Sequence, residues 1–139
     1  MRQAQKEISV ATTGAGLYEI TRDVAAFLAP LRIETGLLTA FCRHTSASLV
    51  IQENADPDVQ RDLVAFFARL VPNGDPLFVH TMEGPDDMPA HVKSALTQTS
   101  LSIPIANGAL VLGTWQGLYL FEHRRAPHQR KIVLHVVGM

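Results

Sequence analysis

Asn107–Gly108 restricts the fold of this chain more than any other pair of residues. It stands between two short apolar runs, LSIPI (101–105) and ALVL (109–112), and an Asn-Gly pair in that setting is the strongest short-range signal for a β-hairpin. A hairpin commits the strands on either side to antiparallel pairing. Two further apolar runs, GLYLFEH (117–123) and KIVLHVV (131–137), close the chain around the segment RRAPHQ. The last third is therefore expected to be β-rich.

The first two thirds mix strand and helix periods. QKEISV alternates polar and apolar residues, which predicts a strand, and TTGAG is the expected turn into LYEI. After Thr21, the expected N-cap, Val24, Phe27, Leu28 and Leu31 follow the i, i+3, i+4, i+7 spacing of a helix face, which Pro30 limits. Gly36 opens LLTAFCRH, and SASLVIQEN follows; these near-continuous apolar runs read as two buried strands that meet at RHTS. Asp56 as N-cap and Pro57 as first residue predict a second helix with Val59, Leu63, Phe66, Phe67 and Leu70 as its buried stripe. Pro72 and NGDP stop it. LFVH (77–80) predicts a short strand ending in His80, and PAHVKSALTQ (89–98) a third, shorter helix. Hairpins mixed with helices predict an α+β fold, a largely antiparallel β-sheet backed by helices, in a single domain over residues 1–139.

Charge and cysteine usage exclude several classes. Net charge is −1 and the basic residues cluster only in HRRAPHQRK, so a nucleic-acid partner is not expected. No signal-peptide pattern opens the chain, and no apolar run approaches the ~18 residues of a membrane span. The lone Cys42 allows neither an intrachain disulfide nor a cysteine zinc cluster and suits a reducing cytoplasm. Charged residues make up 18% of the chain, below the roughly 25% of typical domains, which predicts surface hidden in a homo-oligomer.

The motifs of dinucleotide, P-loop, zincin and α/β-hydrolase sites are all missing. What remains is a set of polar residues at element ends. His44 follows one strand, His80 ends another, and His91 lies in the first turn of a helix, where the backbone N–H groups favour the neutral, metal-binding imidazole. Together they are a plausible facial set for a divalent ion, zinc or magnesium, with a position open for water or ligand. Glu53, Asn54, Asp86 and Asp87 stand nearby in sequence, before helices; Asp56 is a cap first. Lys93, Arg43 and Arg124 are candidates to supply positive charge to a substrate. His135 reads as a strand histidine, and His123 and His128 as members of a solvated basic loop. In GTWQG (113–117) two glycines bracket the single tryptophan, which reads either as a bulged hairpin or as a pocket with Trp115 as wall and Gln116 as hydrogen-bonding arm.

Three blocks, HTSASLVIQENADPDVQRDL, EGPDDMPAHVKSALTQTSLSIPI and LGTWQGLYLFEHR, closely resemble the YjbQ-like family, often labelled secondary thiamine-phosphate synthase enzymes. The resemblance runs from about residue 5 to the end. It implies one α+β domain and trimers with sheets packed about a threefold axis. It also implies a site around His44 and His91 with His80 as third member, joined by Thr114, Trp115, Gln116 and Glu122. Many relatives have a differently composed segment where this chain has HRRAPHQ. Thiamine-phosphate synthesis joins a pyrimidine pyrophosphate to a thiazole phosphate, and the dedicated enzyme resembles a TIM barrel of at least about 200 residues. In a shorter chain the activity would be an independent solution.

Two functional classes follow. One is a metal-dependent enzyme on a phosphorylated small molecule, with His44, His80 and His91 on the ion, Glu53, Asn54, Asp87, Gln116 and Glu122 as the acid-base and polar groups, and Lys93, Thr114, Trp115 and Arg124 holding the ligand. The other is a non-enzymatic module that closes the same residues around a small ligand or metal. An open coordination position beside an acid separates the first from the second.

Overall fold

The computed structural model describes residues 1–139. In chain order the elements are β1 (Arg2–Thr12), β2 (Gly16–Glu19), α1 (Thr21–Leu28), β3 (Gly36–Cys42), β4 (Ala47–Glu53), α2 (Pro57–Leu70), α3 (Asp87–Leu96), β5 (Ser100–Ala106), β6 (Ala109–Leu110), β7 (Gln116–Glu122) and β8 (His128–Gly138). Asn107 and Gly108 take φ of 52° and 77°, the left-handed pair of a tight hairpin, and β5 and β6 pair across them. All ladders are antiparallel and the class is α+β, as the sequence predicts. No helix is long and apolar enough to cross a membrane.

The strands form two sheets rather than one. The larger has the order β1-β8-β3-β5-β6 and the smaller β2-β7-β4. Period-two alternation decides what each strand buries: β8 sends Ile132, Leu134 and Val136 inward, and β3 sends Leu38, Ala40 and Cys42. These meet Leu49, Leu118 and Leu120 of the smaller sheet, with Val24, Phe27 and Leu28 of α1, in one apolar core.

The chain changes sheet six times, and two of these crossings shape the site, the one between β3 and β4 and the one between β7 and β8. The two crossings touch: the His123 N–H donates to Ser46 O at 3.3 Å. A buried ion pair locks them together. Glu122, with no solvent exposure, receives the Arg130 guanidinium through Nε at 2.7 Å and through a second, very short N–H contact. The same guanidinium reaches Ser46 Oγ at 3.0 Å. Glu122 also accepts Thr12 Oγ1 at 2.7 Å and the backbone N–H groups of His123 and Arg124 at 3.0 and 3.1 Å. Burial pushes the Glu122 carboxyl up, but the Arg130, Thr12 and backbone donors outweigh it and hold it below its ordinary value.

Four local expectations fail for physical reasons. LFVH is not a strand: the Asp75 carboxylate takes the Leu77 N–H at 2.8 Å, a turn follows, and Leu77 and Val79 point into solvent. Thr21 is the first residue of α1 rather than its cap; its hydroxyl donates to Glu19 and accepts the Leu118 N–H, tying the helix to β7. α3 begins at Asp87, two residues before the expected start, because a proline within the first turn gives up an N–H that has no partner there. The α2 stripe is not sealed within the chain, with Phe66 and Leu70 about half exposed. The expected Asp56 cap is present and accepts the Asp58 N–H at 2.9 Å.

Removing one partner of the buried pair leaves the other charge unpaired. Glu122→Ala is expected to cost about 3–5 kcal/mol in chemical denaturation. Since the Glu122 pKa is depressed in the folded chain, the stability it adds is fully present above the ordinary value of 4.5 and is lost as pH falls through the lower folded value. Acid unfolding should therefore lose its steepest part in the variant, and an unchanged acid profile would contradict this role.

Candidate functional site

The first two turns of α3, the loop before it and the two crossings meet at one cluster; because α3 starts at Asp87, His91 is its fifth residue and lies in the second turn rather than the expected first. Asp87 is 4% exposed, and its Oδ2 lies 2.8 Å from His80 Nε2 and 3.0 Å from His91 Nε2. Its Oδ1 accepts a hydrogen bond from Arg124 Nη1 at 2.7 Å. Arg124 continues to Asp86 Oδ2 through Nε at 3.1 Å and to Glu83 O through Nη2 at 3.0 Å. Burial raises the Asp87 pKa, but hydrogen bonding from His80 and the charges of His91 and Arg124 outweigh it, so the carboxylate stays ionised below its ordinary value. Asp86 is likewise held down, against burial, by the Arg125 N–H and the Arg124 guanidinium.

The histidines define what the cluster can hold. His91 Nδ1 faces the carbonyl of Thr45 at 2.9 Å, so that nitrogen must carry a proton. Its Nε2 then points a lone pair at a carboxylate oxygen unless something positive lies between them. A proton or a metal ion can take that place. The three donor atoms lie within 4.8 Å of one another. Donors bound at ~2.1 Å to one ion stand about 3.0–3.4 Å apart in tetrahedral or octahedral geometry, so the set fits a cation after a modest turn of the half-exposed His80 ring. Two imidazoles and a carboxylate on one side leave the remaining positions for water or a ligand.

This set differs from the expected one. His44 is not part of it: His44 Nε2 accepts the Lys131 N–H at 2.7 Å, which occupies its lone pair and pins the first crossing to β8. Asp87, expected as an acid-base group, stands where the third ligand should be. Glu53 and Asn54 are turn and packing residues; Glu53 Oε2 accepts the N–H groups of Ala55 and Asp56, and Asn54 donates to Glu19. Gln116 closes its own turn by accepting the Gly113 N–H at 2.8 Å, Thr114 is exposed, and Trp115 is 63% exposed rather than a pocket wall. Gly117 is closely approached, since a Cβ there would stand 2.7 Å from Glu19 Oε2 and 3.0 Å from Asn54 Cβ. Glu122 is sealed from any substrate and acts by positioning Arg124 through its backbone N–H.

Arg124 belongs to the cluster. Lys93 lies on the inner side of α3, 8% exposed, where burial lowers its pKa and Asp86 opposes the shift. His123 is not in a solvated loop: it is 3% exposed, bonded to Ser48 Oγ at 2.8 Å, and burial with the charge of Lys93 lowers its pKa to about 3. His128 is partly buried, with its ring bonded to the Ala126 carbonyl. Sequence reasoning did not find Thr45 O or Arg130. A backbone carbonyl carries no residue signal, but Arg130 occupies an inward position in the alternation of β8, where a charge demands a buried partner.

A small two-sheet α+β domain with a His-Asp-His cluster at its sheet crossings is the class of protein that fold and site define. The chain belongs to the YjbQ-like UPF0047 family, whose model matches residues 6–139. It is 55% identical over 137 residues to the UPF0047 protein sll1880 of Synechocystis, across 99% of this chain and 93% of that one. Identity to the UPF0047 protein YjbQ of Escherichia coli O157:H7 is 41%, across 96% and 97% of the two chains. A YjbQ/UPF0047 family structure from Clostridium acetobutylicum superposes with a TM-score of 0.88 at 34% identity, covering 95% of this chain and 99% of that one. A conserved hypothetical protein of Thermus thermophilus gives 0.85 at 36% identity with the same coverage.

Proposed function

We propose that the protein is a divalent-cation-dependent enzyme acting on a phosphorylated small molecule, with the ion held by His80, Asp87 and His91. The observation that carries the reading is the convergence of their three donor atoms, one of them an imidazole nitrogen whose other ring nitrogen is committed to Thr45. Two nitrogen donors favour zinc over magnesium, which prefers oxygen. Such an ion supplies Lewis-acid polarisation of a bound oxygen and an activated water. Asp86 and Asp87 are already offset by Arg124, Arg125 and Lys93, so a bound dication leaves the site with a net positive charge, which suits a phosphate. Arg124 orients Asp87, and Asp86 holds Arg124. Joining a pyrimidine pyrophosphate to a thiazole phosphate is the specific activity that the resemblance implies, with the pyrophosphate resting on the ion. The open side of the cluster favours this reading over a closed, non-enzymatic binding module.

Metal analysis and isothermal titration of the purified protein provide the test. Zinc is expected to bind once per chain with release of a proton, His80→Ala or His91→Ala to abolish most of the affinity, and Arg124→Ala to lower it about 10–100-fold. Circular dichroism should show all three folded. A protein that takes up no divalent ion rejects the proposal. For the specific activity, cation-dependent thiamine-phosphate formation lost in His91→Ala is the expected result; formation that survives chelation and the substitution would place the chemistry elsewhere.

A cytoplasmic homotrimer completes the reading. Leu37 and Phe41 stand 41% and 47% exposed on the outward face of the larger sheet, and the chain carries few charges, which supports burial of that face between copies. Light scattering should report three chains, and Phe41→Glu should dissociate them. A stable monomer at micromolar concentration would remove this part of the proposal.

A further inference from the structure

We infer that the organic half of the substrate is an uncharged, apolar ring, seated in the surface cavity that adjoins the cluster at His80. The inference rests on the cation reading above and specifies what binds beside the ion.

The cavity, about 300 Å³, is built by the loop between α2 and α3 and by the first turn of α3. That is the small end of the ~300–1,000 Å³ range of ligand pockets, a size for one ring rather than a nucleotide. Its walls are largely carbon, from Phe78 and Met88 with Pro76, Pro85 and Pro89, and Thr81 adds one hydroxyl. The prolines have no N–H to offer a sugar hydroxyl, and their fixed φ makes the wall stiff. Asp75 and His80 are the ionisable side chains that line it, with no lysine or arginine among them. The Asp75 carboxylate is already bonded to the Leu77 N–H and would repel an anion.

The two halves of a phosphorylated substrate are therefore sorted by charge. The phosphate finds its counter-charge at the cluster, where Arg124, Lys93 and the ion lie. The neutral body finds apolar surface next to it, across His80, which belongs to both the cavity and the cluster.

The test is isothermal titration of the full-length, zinc-loaded protein with three probes: inorganic phosphate, glycerol phosphate and phenyl phosphate. Phenyl phosphate is expected to bind at least about tenfold more tightly than the other two, the gain from burying roughly half a ring. Phe78→Ala should remove most of that advantage and leave zinc and inorganic phosphate binding unchanged. Met88→Ala, also outside the apolar core, is the second variant and should act in the same direction. Zinc-loaded protein that binds the three probes equally overturns this inference and leaves the cation reading standing; zinc-loaded protein that binds none overturns this inference and the phosphorylated substrate with it. A ring preference that survives both substitutions overturns it as well. Protein that takes up no zinc overturns both.

Discussion

The Glu122–Arg130 pair is the constraint on which the rest of the molecule depends. Taking two charges out of water costs several kcal/mol per ion unless every lone pair and N–H finds a partner. Here Glu122 receives Arg130, Thr12 and two backbone N–H groups, and Arg130 has Ser46 as well. These partners come from β1, from the β3–β4 and β7–β8 crossings and from β8. Satisfying the charge therefore forces the two crossings together. One consequence is functional: the Arg124 N–H is held in place, so its guanidinium lands on Asp86 and Asp87 at the start of α3.

The electrostatics of the cluster follow from that landing. Burial pushes the Asp87 carboxyl up, but the His80 hydrogen bond and the charges of His91 and Arg124 outweigh it and hold it below its ordinary value. With Oδ1 committed to Arg124, the other oxygen is turned toward both histidines. His91 is then caught between two acceptors, Thr45 O and Asp87 Oδ2, a geometry that calls for positive charge in the gap. Positive charge is thus concentrated at the cluster, while the proline-rich cavity that His80 also lines carries the Asp75 carboxylate and no lysine or arginine. The sheet scaffold under the cluster is closely packed; the loop that supplies His80 is open, with Leu77, Val79 and Met82 in solvent.

Local signals and distant contacts divided the information unevenly. Asn107–Gly108, the alternation of the strands, and Asp56 with Pro57 each act within a few residues, so the hairpin, most strands and the start of α2 could be read directly. The site could be read only in part. His80, His91, Asp87 and Arg124 stood out as polar residues at element ends, and they do converge. His44, Glu53 and Asn54 stood out by the same criterion, and Gln116 and Glu122 by the GTWQG block and the resemblance, yet their side chains satisfy backbone N–H groups, a neighbouring carboxylate or a buried arginine. Residue type and position cannot separate these outcomes, because a polar side chain at an element end serves a turn as well as a ligand.

By itself the sequence determined the α+β class, the antiparallel pairing and the apolar faces, since periodicity and turn chemistry are properties of short segments. Tertiary structure alone decided that the strands divide into two sheets, that Arg130 meets Glu122 across a crossing, and that Asp87 rather than His44 joins His80 and His91. The reason is one of range. Which segments lie next to each other depends on burying the whole core and on neutralising one buried charge, and both are settled by contacts between residues far apart in the chain.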